Sequence, residues 1–572
     1  MRFLIAAVLF VGALFAILFG LALRTIWAPP ESYTLTLQNS NEAPFLVVPP
    51  ETLSAFPGEP LVRASGTEKV FFAVGTPQDV EAWIGETNHV EVAISRDGEE
   101  LLNRPAGNGA TSASPAGADL WQFERSGENS AQLTMREGQQ VSLLIASDGT
   151  SAAPNSLQIR WPINYDLTPS NISLIAGAGL LLAAFIANIV AYYSLRKSRG
   201  PRRKTPKPPQ GPRYRPKRQV SIAPTRGRRS ARRALAVFPV LALTAGLLAG
   251  CSPVDDSGKP IPSPTPSASE SQEPVSQPVV TEAQLKRILA SVQLVAAAAD
   301  EGNDPAALQA RFDGPALDIR AVHYRLRTKS TSIEKLPPIV GAPVSFALPG
   351  TQAEWPRTLM VVTDAAGDET LPQFLVLQQD SPRTNYRVWY YVALIPGAEI
   401  PEVPAVGVGG IPVTPDSLFL KLPPIDLATA YGDVIDNGAL SLSASLFDVS
   451  EDAFFSQINQ SQTEQAENLR DAKITFKHSL GDPNVIALAT SDSGALAAVF
   501  MKDSYEIKPT RRGRAVVVTG QEKILLGRDG STTGIVSTYG DMLLFYIPSV
   551  SSDSKIKLLG ASQGLLSVRR LD

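Results

Sequence analysis

Residues 172–195, ISLIAGAGLLLAAFIANIVAYYSL, form an apolar run of 24 residues that ends at a block of positive charge, residues 196–233. The block contains 16 Lys or Arg side chains and no acidic one. A second apolar run, residues 234–250, follows it directly. Because Lys and Arg beside a membrane span resist translocation, this arrangement predicts a cytoplasmic loop between two spans. It therefore decides the topology of the whole chain.

A third apolar run, residues 3–23, is uninterrupted over 21 residues. A hydrocarbon core roughly 30 Å thick needs about 20 helical residues, so the runs at 3–23 and 172–195 are long enough to cross it. The run at 234–250 has 17 residues and is at the short limit. A cleaved secretory signal is the alternative for residues 3–23. Because no small-residue cleavage site precedes Pro29, a retained anchor is favoured.

Charge and cysteine usage restrict the chemistry. Outside residues 196–233 the chain carries 36 basic and 55 acidic side chains, a formal charge of −19. The single Cys, Cys251, excludes an intramolecular disulfide and a multi-cysteine metal cluster. The three His residues (His89, His323 and His478) lie far apart in the sequence and match no metal-ligand spacing. We therefore predict neither a metal nor a cofactor.

The residues before Cys251 read as a signal for lipid attachment. Residues 228–233 form a charged region and residues 234–244 an apolar one. The next motif, Leu248-Ala249-Gly250-Cys251, resembles a bacterial lipobox at each of its four positions. The resemblance implies a diacylglyceryl thioether on Cys251, and two acyl chains give stable membrane anchoring. The alternative is a plain third membrane helix that ends in an unmodified Cys.

A lipobox in mid-chain has two possible meanings. Either the chain is cleaved between Gly250 and Cys251 into two products, or two neighbouring reading frames have been fused. In both cases residues 1–250 and 251–572 are separable modules. The Pro- and Ser-rich stretch after Cys251 reads as a flexible tether.

The segment between the first two spans alternates short β-rich runs with turns. The runs at residues 70–74, 90–94, 131–135 and 141–145 read as strands, and Asp-Gly or Glu-Gly pairs close them. A short helix is expected at residues 77–84. We predict a compact antiparallel β domain.

Several features of this domain resemble the single extracytoplasmic domain of a group of actinobacterial membrane proteins. They are the strand at residues 70–75, the helix start Asp79-Val80, Trp121 and the turn Asp148-Gly149. Ala146-Ser147 stand where that group has Met-Asn. The resemblance covers residues 65–195 and implies a membrane-anchored domain without a known activity.

Two cycles of helix followed by strands fill the C-terminal half. In the first cycle, an amphipathic helix begins near residue 282, with apolar side chains at positions 285, 288, 289, 292, 295 and 296. A short helix at 305–312 and strands at 358–363, 373–377 and 386–395 follow. In the second cycle, helices at 426–436 and 450–470 precede strands at 484–490, 495–501, 515–519, 540–547 and 555–559.

This order resembles a tandem pair of nuclear-transport-factor-2-like α+β domains, as in actinobacterial lipoproteins of unknown function. The motifs that carry the resemblance are Trp355-Pro356-Arg357, Pro423-Pro424 and Asp492-Ser493-Gly494-Ala495. The fold class expected is a membrane-anchored multidomain protein. It has an extracytoplasmic mainly-β domain and a C-terminal α+β domain with two cone-like halves.

No catalytic constellation stands out. Ser491-Asp492-Ser493 lacks the Gly-x-Ser-x-Gly context of a nucleophile elbow. Gly407-Val408-Gly409-Gly410 is too short for a phosphate loop and reads as a turn between the half-domains. His323 falls in an alternating apolar stretch and reads as a satisfied strand residue.

The basic block favours membrane lipid over nucleic acid. It has one aromatic residue, Tyr214, so it lacks the side chains on which bases stack, and no nucleic acid is expected. Anionic lipids of the inner leaflet attract it by about 1 kcal/mol per basic side chain. The alternative is a topology determinant with no ligand.

In chain order the sequence predicts eight segments: transmembrane segment 1 (1–27), an extracytoplasmic β domain (28–170), transmembrane segment 2 (171–195), a basic disordered cytoplasmic loop (196–233), transmembrane segment 3 with the lipoprotein signal (234–251), a Pro- and Ser-rich linker (252–282), and two α+β half-domains (283–413 and 414–572). The location expected is the cell membrane, multi-pass, with both folded domains extracytoplasmic.

The leading hypothesis is a non-enzymatic, membrane- and lipid-anchored envelope protein that binds or scaffolds a cell-wall or protein partner. A flat, exposed apolar patch on the C-terminal domain would favour it. The alternative is an envelope enzyme or small-ligand carrier. A deep pocket with convergent ionisable groups, for instance around His323 or Asp492, would favour that.

Overall fold

The computed structural model describes residues 2–198 and 280–571, apart from positions 29, 40, 111–112, 164, 352–353, 365–370 and 470. The chain divides into two compact units. The first combines Met1–Ala28 with Asp166–Val275, and the second combines Pro29–Tyr165 with Ser276–Asp572. The lipobox, the linker to residue 279 and the basic loop beyond residue 198 lie outside the described residues.

The elements before the undescribed stretch are, in chain order, α1 (Arg2–Arg24), β1 (Ser32–Gln38), β2 (Phe45–Val48), α2 (Pro50–Leu53), β3 (Leu61–Gly75), α3 (Pro77–Ile84), β4 (His89–Ile94), β5 (Leu101–Ala106), β6 (Phe123–Thr134), β7 (Ser142–Ala146), β8 (Ser156–Pro162) and α4 (Thr168–Ser198).

The elements after it are α5 (Glu282–Gly302), α6 (Pro305–Leu308), α7 (Gly314–Lys329), β9 (Val344–Pro349), β10 (Arg357–Thr363), β11 (Gln373–Gln379), β12 (Arg387–Leu394), α8 (Leu427–Asn437), α9 (Ala453–Asn468), β13 (Ala472–Ala489), β14 (Ala495–Pro509), β15 (Val516–Val517), α10 (Gly520–Leu526), β16 (Gly530–Ser531), β17 (Ile535–Ile547) and β18 (Lys557–Arg570).

Helices α1 and α4 pack against each other in the first unit. A Cβ on Gly177 would lie 2.6 Å from Cγ1 of Ile17, and the Ser170 hydroxyl donates to the Gly20 carbonyl at 2.8 Å. Small side chains allow this close approach, as in helix pairs within lipid. Both helices are long and apolar enough to cross a membrane, with mean hydropathies of 2.8 and 2.3. They coincide with the first two predicted spans.

The β domain is a nearly closed, barrel-like sheet. The strand order is β1-β8-β3-β7-β2-β4-β5. Strand β6 lies off this path and pairs with β3 over residues 61–65 and 69–74. The prediction of a mainly-β domain is confirmed, as is the helix at Pro77–Ile84. The prediction of an entirely antiparallel sheet is wrong in one pair, because β2 and β4 run parallel. The crossover that parallel pairing requires contains β3 and α3.

Three strands of this domain are buried on both faces. Leu46, Phe72 and Ile145 point into the barrel, whereas their neighbours Phe45 and Phe71 belong to a second apolar cluster outside it. Helix α3 and the buried rings of Trp83 and Trp121 cover this outer cluster. Continuous apolar runs, rather than alternating ones, are typical of strands covered on both sides.

The C-terminal region is α+β, as predicted. Its main sheet has the order β13-β14-β17-β18-β12-β11-β10-β9, so strands from both predicted half-domains lie in one sheet. The two parts join where β12 pairs with β18 at Ala393 and Ala561. Isolated bridges from Gly350 to Gly410 and from Pro412 to Leu488 link the outer strands.

Two apolar cores lie on opposite faces of the long strands. Leu496 and Leu544 point into the core shared with α5, whereas Val499 and Phe545 point into the core shared with α8. The α5 prediction is confirmed, and its cap is a reciprocal pair between Thr281 and Gln284. Side chains along β14 and β17 are buried on both faces and belong alternately to the two cores, which supports a helix layer on each face.

The stretch that contains His323 is a helix, α7, and not the predicted strand. Helix α7 packs against β12 and β18, and Val322 and Leu326 share an apolar cluster with Ile524 and Leu525 of α10. Helix α7 therefore carries apolar side chains on a broad part of its surface. Their spacing in the sequence resembles the apolar alternation of a strand.

Candidate protein-binding interface

The β domain and the C-terminal domain, both in the second unit, share a buried ion pair between Asp119 and Arg311. One guanidinium nitrogen of Arg311 donates to Oδ1 of Asp119 at 3.0 Å, and the other contacts Oδ2. The side chains are 5% and 7% exposed. The Tyr386 amide also donates to Oδ2 of Asp119 at 2.9 Å, and Ser291 accepts from Nε of Arg311 at 3.0 Å. A two-pronged pair with these additional bonds satisfies both charges.

A second buried pair joins Asp79, in the first turn of α3, to Arg357, at the start of β10. The Arg357 Nη1 atom lies 2.7 Å from Oδ1 of Asp79, and both side chains are less than a tenth exposed. The guanidinium also lies 4.0 Å above the ring centroid of Trp355. A cation over an indole face and against a carboxylate is favourable on both sides.

Backbone carbonyls of the β domain accept further bonds from helix α5. The Gln284 side-chain amide donates to the carbonyls of Asp119 at 3.1 Å and Leu120 at 3.0 Å. Arg287 donates to the carbonyls of Trp121 and Gln122. The C-terminal domain therefore binds the loop at residues 119–122 through both the Asp119 side chain and the main-chain carbonyls of the loop.

Arg383 of the C-terminal domain caps the C-terminal end of α3. It donates to the carbonyls of Trp83 at 2.8 Å and Ile84 at 3.0 Å, and to the Thr87 hydroxyl at 2.7 Å. Its guanidinium lies 5.1 Å from the Trp83 ring centroid. The last carbonyls of a helix lack partners within the helix, and a cation beside them is favourable.

Apolar contacts complete this interface. Trp355 packs against the outer cluster of the β domain, which contains Trp83 and Trp121. The ring centroids of Trp83 and Trp121 are 5.6 Å apart. Trp355 thus supplies part of the second layer that the two-sided burial of β2, β3 and β7 requires.

The interface unites residues that were singled out separately in the two halves of the sequence. Asp79 and Trp121 belong to the resemblance of the β domain, and Trp355 and Arg357 to that of the C-terminal region. Sequence reasoning missed Asp119, Arg311, Arg383 and Gln284. The available signal was Arg357, a charged residue at the start of the largely apolar strand β10.

The predicted lipid site, Cys251 with Leu248, Ala249 and Gly250, lies outside the described residues. His323 and Asp492 occupy separate local structures. Nε2 of His323 lies 2.9 Å from the Glu334 carbonyl, and burial lowers the pKa of the imidazole.

Asp492 accepts from the Thr490 hydroxyl, the Tyr546 hydroxyl and the Gly494 amide. Partial burial raises its pKa, but these hydrogen bonds outweigh burial and lower the pKa overall. The Gly407–Gly410 segment is a turn, in which the Gly409 amide donates to the Ala405 carbonyl at 2.9 Å.

A second buried polar cluster lies within the C-terminal domain. His478 of β13 has Asp436 of α8 at 2.6 Å from Nδ1 and Asp503 of β14 at 3.5 Å from Nε2. Asp541 of β17 accepts from Gln563 at 2.9 Å. Burial, together with the neighbouring Asp503, raises the pKa of Asp541 well above its ordinary value. Within the described ranges, no group of His, Cys, Asp or Glu is placed to hold a metal ion.

A partly open cleft of about 400 Å³ in the C-terminal domain contains several carboxylates, among them Asp448 and Asp452. Asp448 accepts from the Ser450 hydroxyl at 2.7 Å, and Asp452 accepts from the Tyr431 hydroxyl at 2.6 Å and from the Phe455 amide at 2.8 Å. Both carboxylates are thus engaged in local structure.

Exposed apolar side chains lie on loops of the same domain. Leu418, Phe419 and Val550 are exposed by 79%, 83% and 62%. The amide of Val550 donates to the carbonyl of Phe419 at 2.8 Å, so the two loops that carry these side chains adjoin.

Comparison with known proteins gives one match. The family described as domain of unknown function (DUF8094) matches residues 276–569, which begin just before α5 and end within β18. No curated protein and no solved structure shows significant similarity to this chain. Since the match covers just over half of the 572 residues, the chain belongs to the DUF8094 family.

Proposed function

We propose that this chain is a non-enzymatic cell-envelope protein that is anchored by its membrane helices and by lipid on Cys251. Its exported domains act as a binding or scaffolding module on the outer face of the cytoplasmic membrane. The actinobacterial resemblances of both halves and the cone-like character of the C-terminal halves belong to this proposal.

The observation that carries the proposal is the interface between the β domain and the DUF8094 domain. The DUF8094 domain directs Arg311, Arg357 and Arg383 at another folded domain. Arg and Trp in buried contacts are typical of protein-binding surfaces. A domain that uses its buried cations in this way is suited to hold a protein partner.

Two further observations support it. The helices α1 and α4 have the length and composition of membrane anchors. The exposed group of Leu418, Phe419 and Val550 is the feature expected of a binding module, because contiguous exposed apolar side chains mark interaction sites.

Metabolic labelling with a fatty acid tests the anchoring. The wild-type chain and Cys251→Ser would be tagged at both ends, expressed in the native host and analysed by blotting with and without an inhibitor of the lipoprotein peptidase. We expect label on the C-terminal product of the untreated wild type and on the full-length wild-type chain of inhibited cells, and none on Cys251→Ser. We also expect a single full-length band for Cys251→Ser and for inhibited cells.

Ser keeps the size of the side chain but removes the thiol, so it serves as a matched control for folding. Label that persists in Cys251→Ser would show that the lipid is elsewhere. One unlabelled full-length band in all samples would exclude lipid anchoring and leave residues 234–250 as a third membrane helix.

A further inference from the structure

We infer that the DUF8094 domain is a receptor for the β domain and holds it as a stable non-covalent partner when the peptide link between them is cut. The inference rests on the proposed processing at Cys251. Cleavage there cuts the chain between the two domains, and without a stable contact they would be released from each other. It assigns the partner of the DUF8094 surface as a β domain of the type formed by residues 30–163.

The contact joins several segments of each domain. Four segments of the DUF8094 domain converge on two segments of the β domain, residues 79–87 and 117–122. The contributing residues lie in α5, before α7, at the start of β10 and before β12. All of these contacts join residues within the two folded domains, so the peptide link enters this set of contacts only by raising the local concentration of the partner.

The two surfaces are complementary in charge and hydrogen bonding. The β domain offers two buried carboxylates and several main-chain carbonyls at the end of α3 and in the 119–122 loop. The DUF8094 domain offers four Arg side chains, of which two are paired with those carboxylates. Donors from one domain thus meet acceptors from the other.

Aromatic and Arg side chains lie at the centre of the contact. Trp83, Trp121 and Trp355 lie together, and the Arg357 guanidinium is placed between an indole ring and a carboxylate. Well-packed aromatic and Arg side chains dominate the binding energy of stable protein complexes. The mixture resembles the core of an interface between separate chains, surrounded by the more exposed Arg287 and Asn385.

A cut in the full chain tests this inference. A site for a specific protease is inserted between Pro262 and Ser263 in the Cys251→Ser chain, which is purified in detergent with a tag at each end. After cleavage, we expect the two fragments to co-elute in size exclusion at about 1 μM, an ordinary concentration for specific complexes. We also expect them to stay together in about 0.5 M salt, because buried ion pairs are screened little.

Variants then identify the surface. Asp119→Asn leaves Arg311 buried without its carboxylate, and we expect an affinity at least about 100-fold weaker. A milder substitution at an exposed position, together with a matched control, avoids misfolding. Arg287→Ala removes bonds to the β domain, and we expect an affinity about 10-fold weaker. The matched control is Lys286→Ala, whose exposed side chain pairs with Glu282 in its own helix; we expect no change in retention.

Fragments that separate on cleavage at about 1 μM would overturn the inference. Equal retention of Arg287→Ala, Lys286→Ala and Asp119→Asn would overturn the assigned surface. If lipid labelling fails but the fragments co-elute, the anchoring proposal is wrong and the receptor inference stands. If labelling succeeds but the fragments separate, the receptor inference is wrong and the anchoring proposal stands.

Discussion

Two buried ionic clusters among the described residues differ in their charge balance. Between the domains, two carboxylates face two guanidinium groups, Asp119 with Arg311 and Asp79 with Arg357. Within the DUF8094 domain, two carboxylates, Asp436 and Asp503, contact the single imidazole of His478, and a third, Asp541, neighbours Asp503. A balanced cluster is stable once the charges are buried together. A cluster with excess carboxylate must bind protons or remain destabilised.

The difference separates two tasks. A guanidinium keeps its charge at every physiological pH, so an interface built on Arg holds its partner over a wide pH range. Burial raises the pKa of Asp503 and of Asp541, so we expect the stability of the layer between α8 and the sheet to depend on pH. The following predictions, in order of expected effect, test this distinction.

The largest effect is expected when one partner of a balanced pair is removed. Asp119→Ala leaves the Arg311 charge buried and should lower the stability of the contact by about 3–5 kcal/mol. Hydrogen exchange of peptides covering residues 115–122 and 305–313 should accelerate accordingly. Replacing both residues with Leu should cost much less, because a buried pair exchanged for apolar groups is often neutral. A double variant as unstable as Asp119→Ala would show that the charges themselves are not the cause.

A smaller effect of opposite sign is expected in the unbalanced cluster. Burial raises the pKa of Asp541, so the folded state favours the protonated carboxyl more than the unfolded state does. The stabilisation is fully present below the unfolded pKa of about 3.9 and is lost as the pH rises through the folded value. Asp541→Asn, which is always neutral, should therefore be more stable than the wild type at pH 8 by about 1–3 kcal/mol.

The advantage of Asp541→Asn should shrink as the pH falls toward about 4, measured as the pH dependence of the thermal transition. Asp148→Asn gives a control with the reverse sign. Hydrogen bonds from the Ser151 and Thr150 amides lower the pKa of Asp148, so the carboxylate contributes stability that is lost as the pH falls. A constant difference between Asp541→Asn and wild type across pH would show that titration is not involved.

The smallest effect is expected at an exposed pair. Lys335 lies 3.2 Å from Glu301, and the side chains are 63% and 82% exposed. Lys335→Gln should change the stability by about 0.5 kcal/mol or less, because water screens such pairs. A loss of stability as large as that of Asp119→Ala would show that burial is not the reason why the exposed pair and the buried pair differ.

Much of the fold could be predicted where the residue pattern has a local cause. The amphipathic stripe of α5 and its Thr281 cap identify that helix, and the apolar runs at residues 70–74 and 141–145 identify strands. Helix α7 could not be recognised, because its apolar side chains face both the sheet and α10. The sharing of one sheet by both halves depends on the pairing of β12 with β18, about 170 residues apart in the chain.

The candidate site was predicted only in part. Asp79, Trp121 and Trp355-Pro356-Arg357 attracted attention as motifs, but nothing in either half indicated that they touch. Asp119 and Arg311 are single charged residues 192 positions apart, without a local pattern. Contacts of this range are set by the docking of two folded domains, and periodicity within one element carries no information about them.

The sequence by itself determined the apolar helices α1 and α4, the mainly-β and α+β character of the two folded parts, and the predictions for Cys251 and the basic block. These features depend on composition and on spacing within a few turns or strands. The tertiary structure alone decided that the β domain docks on the DUF8094 domain through Asp79, Asp119 and their Arg partners. The physical reason is that burial converts weak surface charges into strong, specific contacts, and burial is a property of the assembled fold.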